Sequence, residues 1–289
     1  MNKHIFWGLL LVGGISYGQP KIYRQAQIAT TTNIIAPEED DSQNMQGRDG
    51  GGMNFRNMMD GEFKFVTLVK NDMTKMTIKS EVVHATIFRD NDKKLTTTIM
   101  EMMGNTNGFY ITDQEQVEMQ KMRDSMMAER RKKDTTMRQF PQPDRNTNLP
   151  VEVSVTNESK KIAGYVCKKA FLITTRLLGN KDTVTIWYTP EFKIDNVATT
   201  GGMNALPMMG NMMPQLNGLD KIEGFVMRYE MNMRRGRRLE SEITKVELDK
   251  NIADTEFELP KNVEIKPMKE MQNMFGGGRG GFMRPPGRD

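Results

Sequence analysis

The sequence predicts a mainly β protein with some helix, an α+β chain built on one curved antiparallel sheet. Two patterns carry that expectation. Apolar and polar residues alternate with a period of two in segment after segment, and short runs of Asn, Asp and Gly separate those segments as hairpin turns would. Only one stretch, beginning at Asp113, shifts to helical spacing.

Phe63 and Phe65 open the first hairpin, and Asn71-Asp72 turns it into a strand on which Met76 and Ile78 alternate with Lys75, Thr77 and Lys79. Val83, Ala85 and Ile87 follow, Asp90-Asn91-Asp92 turns the chain again, and Leu95 to Met102 and Phe109 to Thr112 continue the meander. A helix is then expected over 113–137. Glu115 and Glu118 lie in its early turns and Arg130 to Lys133 near its end, both favourable to the helix dipole. Val117, Met119, Met122 and Met126 form a narrow apolar stripe, which suits a helix covering the concave face of a sheet. Strand patterning resumes at Val151 to Val155, Tyr165 to Leu178, and Val184, Ile186 and Tyr188 before Pro190. The clearest strand puts Phe225, Met227, Tyr229, Met231 and Met233 on one face and Arg228, Glu230 and Asn232 on the other. A turn at Arg234 to Arg238 leads from it into Leu239 to Leu248.

The N-terminus reads as an export signal over 1–18. Lys3 and His4 precede the apolar run Ile5 to Ile15, and Ser16, Tyr17 and Gly18 make a small-residue exit before Gln19. That run is shorter than the roughly 20 apolar residues a membrane span needs. A soluble periplasmic or secreted protein is expected, with one β-rich domain over 19–275. Within it, 37–60 and 139–150 read as a flexible loop and a linker, and 276–289 as a disordered tail of Gly, Arg and Pro.

The residues for familiar catalysis are scarce. Removal of the leader leaves His84 as the only histidine, and Cys167 is the only cysteine, best read as a small buried apolar residue. There is no histidine pair at metal spacing, no CxxC and no GxSxG. Gly276, Gly278 and Gly281 fit GxGxxG, but with no strand before and no helix after them they cannot cradle a phosphate. The expectation is a non-enzymatic protein with no cofactor and no nucleic-acid partner, the net charge being only +4.

Methionine is the anomaly, at 27 residues. One reading is an adaptable apolar lining, with Phe225, Met227, Tyr229 and Met231 from the sheet and Met119, Met122 and Met126 from the helix, taking a lipid or an acylated protein. A second is Cu(I) capture in the cell envelope by Met208, Met209, Met212 and Met213, since thioethers are soft ligands. A third is a surface scaffold. In it, the Arg-rich tail and the turn residues Arg234, Arg235, Arg237 and Arg238 would meet an anionic membrane surface.

Two motifs also carry a family resemblance: Lys160-Lys161-Ile162-Ala163-Gly164-Tyr165-Val166-Cys167-Lys168-Lys169-Ala170, and Val184-Thr185-Ile186-Trp187-Tyr188-Thr189-Pro190-Glu191. In these the chain resembles exported Bacteroidota proteins of the domain of unknown function 4412. The related GLPGLI family shares the Gly-Tyr-x-Cys-x-Lys-Ala and Trp-Tyr-Thr patterns, and the ending Phe257-Glu258-Leu259-Pro260 fits the same group. These families are similar to the LolA/LolB lipoprotein carriers. The resemblance thus implies a LolA-like incomplete antiparallel barrel, closed by helices around an apolar cavity, and carries over no catalytic residue.

Overall fold

The computed structural model describes residues 19–37, 60–102, 104–133, 150–175, 181–197, 218–233 and 236–270. The leader, most of the loop at 37–60, most of the linker at 139–150 and the tail at 276–289 lie outside the described residues.

Alternation becomes one large sheet. A first meander contains β2 (Gln25–Ile35), β3 (Gly61–Lys70), β4 (Met73–Lys79), β5 (His84–Asp90), β6 (Leu95–Met102) and β7 (Asn105–Thr112), each antiparallel to the next. The helix α1 (Asp113–Lys133) follows, and the chain re-enters at the opposite edge. There β8 (Val151–Ile162), β9 (Tyr165–Thr175), β10 (Lys181–Thr189), β12 (Phe225–Asn232) and β13 (Arg238–Leu248) form a second meander running back to the centre. The antiparallel pairing of β13 with β2 joins the two. With β14 (Ile265–Pro267) laid parallel on β7, the order is β14-β7-β6-β5-β4-β3-β2-β13-β12-β10-β9-β8. The architecture is an open, curved, almost wholly antiparallel sheet with the helix α1 beside it, as the patterning predicts.

Turn chemistry explains the hairpins. Asn71 sits at φ 52, a left-handed conformation its short amide side chain tolerates, between the paired Lys70 and Met73. Register shifts interrupt the ladders between Trp187 and Tyr188, between Val155 and Ser159, and between Ile243 and Lys245. All three fall in the half from β2 to β8, and since a bulge bends its strand, that half carries them as sources of curvature.

Burial follows the period of two. On β2, Ala26, Ile28, Thr30, Thr32 and Ile34 are buried while the residues between them are not. The inner residues of both meanders, among them Phe63, Phe65 and Ile78 from one and Leu172, Ile186 and Tyr229 from the other, pack into a single cluster. On the outer face the C-terminal segment crosses β3 and β4. The Lys70 ammonium donates to the Ile252 carbonyl at 2.8 Å, Lys75 pairs with Glu256 at 2.9 Å, and Ile252 and Phe257 are buried beneath.

A two-stranded parallel ribbon, β1 (Lys21–Tyr23) with β11 (Phe192–Ile194), caps one end of the sheet. The Phe192 ring lies 4.8 Å from Tyr165 and 5.2 Å from Phe225, centroid to centroid.

The helix is anchored at its start. Thr112 and Glu115 bond reciprocally, the Thr112 N–H donating to the Glu115 carboxylate at 3.0 Å and the Glu115 N–H to the Thr112 hydroxyl at 3.2 Å. Arg89 grips Asp113 through two nitrogens, one at 2.8 Å, and holds that carboxyl below its usual range. Beyond these anchors, Met119 packs against Phe109, Ile111 and Met268 at the β7 end of the sheet. Val117, Met122 and Met126 stand exposed.

Candidate functional site

The strand the sequence marks as a lining, β12, is buried as expected: Phe225, Met227, Tyr229 and Met231 are each less than a tenth exposed. Phe225, Met227 and Tyr229 border a cavity together with Ile28 and Thr30 of β2, Thr67 of β3, Met76 of β4, and Ser241 and Ile243 of β13. Val197, three residues past β11, also lines it. The side chains that reach it come from five strands of both meanders, so only the β13–β2 pairing assembles the site.

Among the described residues the space is small. The cavity measures about 30 Å³, the room of one water molecule, where small-molecule sites run to ~300–1,000 Å³. The inner face is filled by its own side chains because the two meanders bury their apolar residues in a common cluster.

The lining is apolar but not purely so. Tyr229 stands opposite Ser241 across β12 and β13, and Ser241 opposite Thr32 across β13 and β2. The Ser241 and Thr32 hydroxyls are 2.8 Å apart and bond each other. Burial pushes the Tyr229 hydroxyl up in pKa, with the Ser241 hydroxyl pulling weakly the other way, so it stays protonated and neutral. Thr30 and Thr67 add two more hydroxyls at the cavity wall. Among the described residues no charged one lines the cavity.

The cover over this wall is held by a few polar contacts. The Asn196 amide donates to the Asn71 carbonyl and to Asp72, both at 3.1 Å, the Thr74 hydroxyl donates to the Asn196 carbonyl at 3.4 Å, and the Asp195 N–H to the Tyr23 carbonyl at 2.8 Å.

The other expected site residues are not gathered here. Met119 reaches only the β7 end of the sheet, and Met122 and Met126 face solvent, because the stripe is too narrow to bury more of the helix. Met208, Met209, Met212 and Met213 lie outside the described residues, as do Arg234 and Arg235. Among the described residues no group of three or more His, Cys, Asp or Glu side chains is placed to hold a metal ion.

Of the expected basic patch, Arg237 and Arg238 are described, and both are paired within the chain. Arg237 pairs with Asp60 at 3.1 Å, and Arg238 with Glu230 at 2.7 Å and Glu240 at 3.0 Å. A hairpin tip whose guanidinium groups already hold carboxylates has less field to offer an anionic surface.

Two features were not read from the sequence. Arg228 on the outer face of β12 is ringed by Glu230, Glu240 and Glu242, bonding Glu242 at 2.6 Å. Trp187 lies beneath the ammonium groups of Lys160, at 4.3 Å, and Lys169, at 5.7 Å. Cys167 is fully buried, and burial pushes its thiol up to about 11, which leaves it unreactive near neutral pH.

No family model matches the chain, so the likeness to the domain of unknown function 4412 and the GLPGLI family stays one of motifs. No curated protein matches either. Among solved structures, PNGF-II in its P21 crystal form is similar at 15% identity and a TM-score of 0.35, over 87% of this chain and 33% of that one. Its C2 form gives 14% identity and 0.35, over 84% and 30%. The chain thus spans about a third of the PNGF-II chains it matches. A LolA superfamily protein from Nitrosomonas europaea is a distant neighbour at 8% identity and a TM-score of 0.30, over 82% of this chain and 91% of that one.

Proposed function

We propose that the protein is an exported, non-enzymatic binder of an apolar guest, a lipid or an acylated protein, taken up against the inner face of the sheet in the periplasm. The observation that carries this reading is the make-up of the cavity wall. Met76 and Met227 meet Phe225 and Tyr229 around a space that Val197 also borders, next to Asn196, whose amide and carbonyl are bonded to Asn71, Asp72 and Thr74. Unbranched thioether side chains change rotamer at little cost, so a wall containing them can open where a wall of branched residues would resist. The guest displaces Val197 and its neighbours and takes the space they leave. The leader sequence supports export, and among the described residues no helix is long and apolar enough to cross a membrane.

Delipidated protein should take up the apolar fluorophore N-phenylnaphthylamine saturably, at one per chain, with a blue-shifted emission. Emission that rises without saturation, or does not change, contradicts the reading.

A further inference from the structure

We infer that the guest carries a single uncharged polar group, which the hydroxyls of Thr30, Thr67 and Tyr229 receive, so that the ligand class is a neutral long-chain ester, alcohol or amide. This rests on the reading above and names its ligand. Strand alternation divides the side chains of β12 and β13 sharply. Arg228, Glu230, Arg238, Glu240 and Glu242 occupy the outer face, where they pair with one another, while the inner positions between them hold Tyr229, Met231, Leu239 and Ser241. Among the described residues the floor of the cavity therefore offers hydroxyls and no charge.

Those hydroxyls form a diagonal seam. Tyr229 faces Ser241 and Ser241 faces Thr32, then Thr30 follows two residues along β2, and Thr67 on β3 stands opposite Ile28. Ser241 and Thr32 satisfy each other. Thr30 and Thr67 are both more than nine-tenths buried and both border the cavity, and among the described residues neither hydroxyl has a hydrogen-bond partner in the chain. Hydroxyls that border the cavity can bond a water molecule or a guest's carbonyl or hydroxyl oxygen placed there. A carboxylate or phosphate there would be desolvated with no cation beside it, a far larger cost, which excludes fatty-acid anions and phospholipid headgroups from the seam.

The test is competition against N-phenylnaphthylamine on the delipidated full chain at pH 8, with octadecene, methyl oleate, oleate and phosphatidylglycerol. It is run on the wild type and on a Thr30→Val, Thr67→Val double variant that keeps the branched shape and removes the hydroxyls. Methyl oleate is expected to displace the probe at a concentration about tenfold lower than oleate or phosphatidylglycerol, and the variant to lose about tenfold for methyl oleate while binding octadecene unchanged. Oleate or phosphatidylglycerol binding as well as the ester, or a variant that treats ester and hydrocarbon alike, overturns the inference while leaving apolar binding in place. Failure of every competitor and of the probe to bind overturns the binding reading itself and the inference with it.

Discussion

Gly224→Ala is expected to prevent the chain from reaching its folded state. Gly224 begins the approach to β12 at φ +159, and a Cβ there would lie 2.2 Å from the Thr189 carbonyl oxygen and 2.9 Å from the Tyr188 ring. The obstacle is backbone, which cannot swing aside, and it sits where β10 and β12 pair through a bulge. Relief requires parting those two strands, which breaks the cluster formed by Tyr188, Val226 and Tyr229. The expected loss exceeds about 4 kcal/mol, in the range reserved for disrupted cores. Gly104→Ala is the control. It has a left-handed φ, +76, but meets no atom within 4 Å, and should cost only about 1–2 kcal/mol. Thermal unfolding of both separates the steric effect from the conformational one.

Arg228→Met should give the largest destabilisation of any outer-face substitution, about 2–3 kcal/mol near pH 7, because it leaves Glu230, Glu240 and Glu242 together without their shared cation. Burial alone would push the Glu230 carboxyl up, but the Arg238 and Arg228 guanidinium groups together hold it below its ordinary 4.5. A depressed carboxyl contributes stability that is present above about pH 4.5 and is lost as the pH falls through the lower folded value. In the variant only Arg238 remains to hold the Glu230 carboxyl down, so acid relieves the repulsion within the cluster. The deficit should therefore be widest above pH 5 and close towards pH 3, as read by urea unfolding across that range. A deficit independent of pH would show that Arg228 acts by packing alone.

How far the sequence could be read depended on the range of the interaction. Alternation at Phe63 to Ile87 and at Phe225 to Met233 is local, and it located those strands and the buried face of β12. The capping pair Thr112 and Glu115 is equally local, and so is the start of α1. The pairing of β13 with β2 joins residues about two hundred positions apart, and the three-residue ribbon of β1 and β11 has no periodicity to reveal it. Those two features make the cavity and its cover, so its members beyond β12 could not be foreseen. Thr30 and Thr67 give no sequence signal of a cavity wall, because threonine favours strands generally and which face it occupies depends on that same pairing. The Arg234 to Arg238 turn looked free because Asp60, one of its carboxylate partners, is distant in sequence. The methionine stripe of α1 was real but carried too little apolar surface to hold more than Met119 against the sheet.

The account turns on a guest entering where Val197 now lines the cavity. A disulfide between Asp72→Cys and Asn196→Cys would pin that segment to the turn before β4, since the Asn196 amide already donates to the Asp72 carboxylate at 3.1 Å. Cys167, buried and with its thiol pushed up to about 11, stays out of the exchange. Apolar probe uptake by this variant, measured oxidised and then after addition of reductant, is expected to be nearly absent in the first state and to return to the wild-type level in the second. Equal uptake in both states would show that the guest, if it binds, does so elsewhere.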